Sequence, residues 1–269
     1  MPATGESMRL MIVGPGRAGG SIAIAATRVG HEISGVISRS GVTGFGPLIP
    51  SNAPLPESDL LLIAVRDEAI AEVAEELADR AAAIAVAAHL SGFVPLTALR
   101  ALADAGLSTG AFHPLQTLPD PERGAAALAG SYVGIDGDPF ALDTLTHLAS
   151  SLGMEPFRLD DTIRPAYHAA AAAASNFVVT ALATAGDLFD SAGVDPRVAR
   201  PLVERAVANF YDQGSLALTG PIARADTDTV IGHLEAARTV SEDVGRQFRL
   251  MAEATAIRAG RTDEIGRWT

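Results

Sequence analysis

The residues best placed for acid–base chemistry lie in three short motifs. These are His89-Leu90-Ser91-Gly92, His113-Pro114-Leu115-Gln116-Thr117, and Tyr167-His168 followed by an alanine run to Ser175-Asn176. An imidazole titrates near neutral pH, so a histidine can hand a proton to an oxygen or nitrogen at a reacting bond. On a helix, His168, Ala172 and Ser175 or Asn176 share one face at spacings of about one and two turns. The alanines between them leave room for a ligand. The pattern predicts His168 as proton donor, with Asn176 and Gln116 as further catalytic candidates. The competing reading makes His168 a core histidine bonded to a backbone carbonyl or packed between helices. His89 and His113 each close an expected strand at its carboxyl end, where ligands bind in open α/β sheets. His113, Ser91 and Ser175 are candidates for substrate binding, although His113 before Pro114 would also serve simply to fix a turn. Arg224 follows Gly220-Pro221 in a loop and suits a carboxylate; a salt bridge to Asp226 or Asp228 competes.

A second constellation says which chemistry these groups would serve. Arg9 to Val13 runs straight into Gly14-Pro15-Gly16-Arg17-Ala18-Gly19, and an apolar helical run from Ser21 to Val29 follows. This is G-x-G-x-x-G between a strand and a helix. The first glycine permits the tight turn, the second admits a pyrophosphate, and the third lets helix and strand pack closely. A glycine turn that only reverses the chain is the alternative. Where a site preferring NAD would carry Asp or Glu, at the end of the second strand, this chain has Ser38-Arg39-Ser40. A guanidinium between two hydroxyls suits a 2′-phosphate, so NADP is favoured over NAD. Arg39 as a plain solvated cation competes. Arg17, Ala18 and Val65 complete the expected cofactor set.

Composition narrows the mechanism further. The 269 residues include no cysteine, which excludes disulfides, thiolate metal sites and cysteine nucleophiles. All 20 basic residues are arginine, so no Schiff-base lysine or ammonium proton donor exists. No His/Asp/Glu cluster has metal-ligand spacing. A net charge of −12 and a pI near 4.9 argue against nucleic acid and anionic membrane partners. No apolar run approaches the ~18–20 residues that span a bilayer, and Met1 to Arg9 shows no signal-peptide pattern. The expectation is a cytoplasmic protein acting on a small molecule.

These groups need a scaffold, and the hydrophobic pattern supplies one. Strands are expected at Arg9–Val13, Glu32–Ile37, Asp59–Val65, Ala82–Ala88, Ser108–Phe112, Tyr132–Asp136 and Glu155–Leu159. Helices alternate with them, one spanning Glu68 to Arg80 with Asp67 as cap, others at Pro95–Ala105 and near Phe140–Leu152. Ser40 to Ser58, rich in Gly, Pro and Ser, reads as a loop that covers an adenosine or merely connects. This is an α/β Rossmann-type, doubly wound parallel sheet. From Arg164 to Ala192 one long helix is expected, then helices at Pro196–Gln213, Asp226–Val240 and Ser241–Arg258. The domains are therefore 1–158, dinucleotide-binding, and 162–269, all-α. Long alanine-rich helices suggest a homodimer formed through the second domain. His31, His147 and His233 read as solvated.

Taken in order, the Gly14–Gly19 turn, HLSG, HPLQT, YHAAA…SN and Leu218-Thr219-Gly220-Pro221-Ile222-Ala223-Arg224 resemble one family over nearly the whole chain. It comprises oxidoreductases that pair a Rossmann-like domain with a C-terminal helical domain of unknown function. More distantly the chain is similar to pyrroline-5-carboxylate reductase, ketopantoate reductase and β-hydroxyacid dehydrogenases. The resemblance implies NAD(P)-dependent reduction and names no substrate. It also exposes a departure: a lysine frequent in the family, three residues before Tyr-His, is Arg164 here, and arginine cannot release a proton near neutral pH.

The resulting expectation is NADP-dependent reduction of a small carbonyl or imine acid, either a ketopantoate-like 2-oxo acid or a cyclic imino acid. Two rivals stand beside it: a non-catalytic NAD(P)-binding sensor or scaffold, and a reductase using deazaflavin.

Overall fold

The computed structural model describes residues 7–39, 41, 44–50 and 52–268. Two compact units divide the chain, 1–172 and 173–269.

The first unit is built on a seven-stranded sheet. Its strands are β1 (Arg9–Val13), β2 (Glu32–Ile37), β3 (Ser58–Ile63), β4 (Ile84–His89), β5 (Ser108–Pro114), β6 (Tyr132–Gly137) and β7 (Glu155–Arg158), in the order β2-β1-β3-β4-β5-β6-β7. Successive strand residues face opposite sides, and both sides are apolar. Leu10, Ile12, Leu60 and Leu62 join one buried cluster, while Met11, Val13, Leu61 and Ile63 join the other. Helices α1 (Arg17–Arg28), α2 (Ile70–Ala78), α3 (Arg100–Asp104), α4 (Pro121–Leu128) and α5 (Pro139–Ser151) connect the strands. β1 and β3 run parallel, but the order in which strands are added reverses between them, which makes their carboxyl ends the switch point where ligands bind in such sheets.

Four details correct the sequence-based expectation. The sheet is not wholly parallel: β6 runs antiparallel to β5, with Pro114 opposite Val133, because the chain re-enters the sheet beside the end of β5. Helix α4 was not expected at all, although Asp120-Pro121 signals it. The Asp120 side chain accepts the Arg123 amide and proline occupies the first turn. Asp67 caps nothing; it starts a short 3-10 turn whose cap position is Arg66. His31 is buried rather than solvated. Its Nδ1 accepts the Met8 amide, its Nε2 meets Ser151 Oγ, and that hydroxyl bonds Leu148 O.

Helix α6 (Arg164–Ala172) closes the first unit, and a π-turn (Ala173–Phe177) leads into α7 (Val178–Ser191). The compact units therefore part within the long helix, beyond the 158–162 boundary where the strand pattern stops. One further expectation is corrected here. Arg164–Ser191 is long and apolar enough by length and composition to cross a bilayer, its alanines standing in for larger apolar residues. The second unit continues with α8 (Arg200–Gln213), α9 (Thr227–Val240) and α10 (Glu242–Arg258). Its own core gathers Val230, Leu234, Ala252, Ala256 and Trp268. Thr184 Oγ1 on α7 donates to Gln247 Oε1 on α10 at 2.9 Å.

Candidate active site

The glycine turn sits at the switch point, and each glycine is there for a different steric reason. Gly14 has φ +86°, and a Cβ on it would lie 2.7 Å from the Ala64 carbonyl oxygen. A Cβ on Gly19 would overlap the Gly14 carbonyl and come within 2.9 Å of Ala64 Cβ. Gly16 is different, because nothing lies within 4 Å of its Cβ position. It caps α1 without a side-chain bond, which leaves the first-turn N–H groups without a cap of the kind a side chain supplies and suits an anion there. The neighbouring cavity, about 440 Å³, is lined by Gly14, Ser38, Arg39, Val65, Glu72 and Arg80, among others. Arg80 is committed to the loop wall, donating to Ala53 O and Pro50 O. Arg39 is exposed and has no ion-pair partner among the described residues. Ser40 lies outside the described residues. Arg17 is exposed and opens α1, with Ala18 next to it. The cradle therefore fits a dinucleotide.

A second cluster, wholly within the first unit, gathers where β4 and β5 end. His89 closes β4 and is fully buried. The Ser91 amide donates to its Nδ1 at 3.2 Å, so the neutral ring carries its proton on Nε2. Burial, then Arg164 and His113, push the His89 pKa down to about 4 and keep the ring neutral. His113 donates from Nδ1 to Leu90 O at 3.0 Å, and burial lowers its pKa. Its Nε2 abuts Gly92, where a Cβ would sit 2.6 Å away. His113 faces two residues of α6, with ring centroids 5.6 Å from Tyr167 and 6.1 Å from His168. Phe93 covers His168 and Phe157 covers Tyr167. Burial raises the Tyr167 pKa to about 12, so the phenol stays protonated.

Arg164 anchors this cluster. It is 1% exposed, with Nε 2.5 Å from Asp161 Oδ1 and Nη2 3.6 Å from Asp136 Oδ2. Arg158 holds the other Asp136 oxygen at 2.9 Å, and Asp161 also accepts the Leu96 amide. At the position of the family lysine, this arginine acts as a buried electrostatic clamp. A charged residue inside the strand Tyr132–Gly137 was the sequence signal for Asp136, and it was passed over.

Four buried polar atoms of the cluster have no hydrogen-bond partner: His89 Nε2, Arg164 Nη2, Tyr167 Oη and His168 Nδ1. Each unmet buried group costs about 1–3 kcal/mol. His31, with both nitrogens satisfied, shows what a purely structural histidine looks like in the same fold.

The structure thus brings His113 and His168 together. Ser91 is engaged locally, its Oγ accepting from the Phe93 and Val94 amides. Gln116 is likewise engaged, accepting from the Thr117 amide and donating to Ala127 O. Ser175 and Asn176 fall in the π-turn at the start of the second unit. Arg224 is exposed in that unit and makes no ion pair to Asp226 or Asp228; Asp226 instead caps α9.

A doubly wound sheet with this turn at its switch point, followed by a helical unit, defines a Rossmann-like dinucleotide-binding architecture. Residues 131–255 match the family model described as a domain of unknown function (DUF2520). The pairing expected from the motifs is the pairing found. No curated protein sequence matches the chain. Among solved structures, a Bacteroides fragilis protein inferred to be an NADP oxidoreductase is similar at TM-score 0.78 and 21% identity, over 93% of this chain and 98% of that one. An Aspergillus terreus reductive aminase, solved with NADPH and ethyl levulinate, gives 0.69 and 17%, over 98% and 100%. A Streptomyces aurantiacus imine reductase gives 0.68 and 16%, over 96% and 98%. At these identities the likeness is one of fold.

Proposed function

We propose that the protein is an NADP-dependent oxidoreductase that reduces a small carbonyl or imine acid. The observation that carries this reading is the glycine cradle, whose one open Cβ position lies at the start of α1 beside the cavity holding Arg39. Gly14, Gly16 and the first-turn amides would hold the pyrophosphate, and Ser38, Arg39 and Ser40 the 2′-phosphate. When bound, the reduced nicotinamide supplies hydride. His168 donates the proton and His113 lies beside it, with Arg224 and Asn176 as candidates for substrate contact.

The test is a fluorescence titration with NADPH and NADH on wild type and Arg39→Ala. Wild type is expected to bind NADPH at micromolar concentration. Arg39→Ala should weaken NADPH by ten- to a hundredfold, about 1.5–3 kcal/mol for a charge-assisted contact, and leave NADH nearly unchanged. Binding of neither nucleotide would sink the reading.

The partner we propose is a second copy of the chain, in the cytoplasm. Helix α8 buries none of its residues, and Leu202, Phe210 and Tyr211 are exposed along it. A 14-residue helix without packing is marginal in water, so its apolar side needs a surface to cover. Light scattering is expected to give a dimer, which Phe210→Asp should shift toward monomer. A wild-type monomer, or recovery in the membrane fraction through the apolar Arg164–Ser191 helix, would refute it.

A further inference from the structure

The segment between β2 and β3, residues 38–57, stands where a sheet of this kind usually carries a crossover helix. Loops beyond ~12–15 residues without secondary structure of their own are, as a rule, either disordered or functional. The described residues of this one form no helix, yet they are held at several points. Phe45 packs on α1, where a Cβ on Gly20 would lie 3.0 Å from its ring. Leu48 bridges Val36 on the outer edge of β2. There the Val36 amide donates to Pro47 O at 2.7 Å and the Ile49 amide to Val36 O at 2.9 Å. Ile49 lies so close to Gly35 that a Cβ there would come within 2.6 Å of it, which accounts for a glycine in mid-strand. Arg80, just past the end of α2, fastens the far side. Its Nε donates to Ala53 O at 2.8 Å and its Nη2 to Pro50 O at 3.0 Å, while its carbonyl accepts the Leu55 amide.

These ties fix one wall of the cavity beside the glycine turn. Leu48, Ile49 and Pro50 line it from the segment, and Val65, Ala69 and Val73 line it from the end of β3 onward. An apolar lining of this kind suits the flat faces of a purine. Glu72 and Glu76 add carboxylates along α2, which leaves phosphate to the Gly14 and Arg39 end and the rest to an uncharged base. We propose that residues 44–50 and 53–55 are a preformed wall for the adenine end of the nucleotide, with Arg80 as the positioning residue that holds it; this rests on the cofactor reading above. The base enters a slot already built, so binding carries no cost of ordering a loop. Arg80 acts through Pro50 and Ala53, because its donors are engaged by their carbonyls.

Amide exchange and affinity, both measured on the full chain, test this separately. Hydrogen exchange without nucleotide should find the Val36 and Ile49 amides protected, and NADPH should leave that protection nearly unchanged. Arg80→Met keeps the stem and removes both donors. It should weaken NADPH and NADH by the same factor of about ten, the scale of one hydrogen bond from a charged group. Equal factors set it apart from Arg39→Ala, which acts on the 2′-phosphate alone. The fragment 2′,5′-ADP, which carries the adenosine without the nicotinamide, should lose as much as NADPH. Arg80→Lys, able to keep one of the two contacts, should recover part of the loss. Leu48→Ser, at an exposed position of the wall, serves if Arg80→Met fails to fold. It should weaken both nucleotides alike with the thermal midpoint unchanged. Fast exchange that slows only when NADPH is added overturns the preformed wall. A loss confined to NADPH would place Arg80 at the 2′-phosphate and overturns it as well. Unchanged affinity in the folded variants also overturns it, and leaves residues 38–57 a connector with the cofactor reading standing. Failure of the wild type to bind NADPH overturns both.

Discussion

Arg164→Met is expected to lower the stability of the first unit by about 3 kcal/mol. Removing one partner from a buried pair typically costs about 3–5 kcal/mol, because the other charge is left uncompensated. The lower end applies here, since Asp136 would keep Arg158 and Asp161 is about a third exposed and partly screened by water. Methionine matches the arginine stem in length, so the change reports on charge and donors rather than on a cavity. Urea denaturation followed by circular dichroism would measure the loss; a change under 1 kcal/mol would show that the clamp does not act as described. Arg164→Lys should fall in between, because an ammonium keeps the charge but cannot span Asp161, Asp136 and the Ser91 carbonyl as a planar fork does. Turnover should fall more steeply than stability, since Tyr167 and His168 stand three and four residues along the same helix and inherit its position.

The sequence made some of this legible and hid the rest, for physical reasons. The glycine turn could be read because each glycine answers a local demand: φ at Gly14, open space at Gly16, closeness at Gly19. The strands could be read because burial on both faces leaves continuous apolar runs such as Leu60 to Ile63. The reversal of β6 was invisible, since strand residues look alike whichever way the strand runs. The expected site was legible only in part. The His113 and His168 rings are neighbours, with centroids 6.1 Å apart, while Gln116 and Ser91 bond within their own loops. Short polar side chains in turns satisfy nearby amides as readily as ligands, and sequence cannot tell the two apart. Arg164 was singled out as a departure from a family pattern. Its role emerged only when Asp136 and Asp161, distant from each other in sequence, were seen to converge on it.

Because the glycines differ in what surrounds them, they also offer the sharpest test of the cofactor site. Gly19→Ala is expected to destabilise the first unit by several kcal/mol, because its methyl group would meet the Gly14 carbonyl and Ala64 Cβ in a close-packed seam. Cofactor binding would be lost with the fold. Gly16→Ala should behave in the opposite way. Its φ of −75° suits alanine and its Cβ position is empty, so stability should change by no more than about 1 kcal/mol, the scale of a helix cap. The same methyl group would stand in the path of the pyrophosphate, and NADPH affinity should drop at least tenfold, about 1.4 kcal/mol or more. Thermal unfolding and nucleotide titration on the two variants separate the effects. If Gly16→Ala bound NADPH as well as wild type, the open space at the head of α1 would not be where the phosphates lie. The cradle would then be only a turn, and the cofactor reading would have to rest on Arg39 alone.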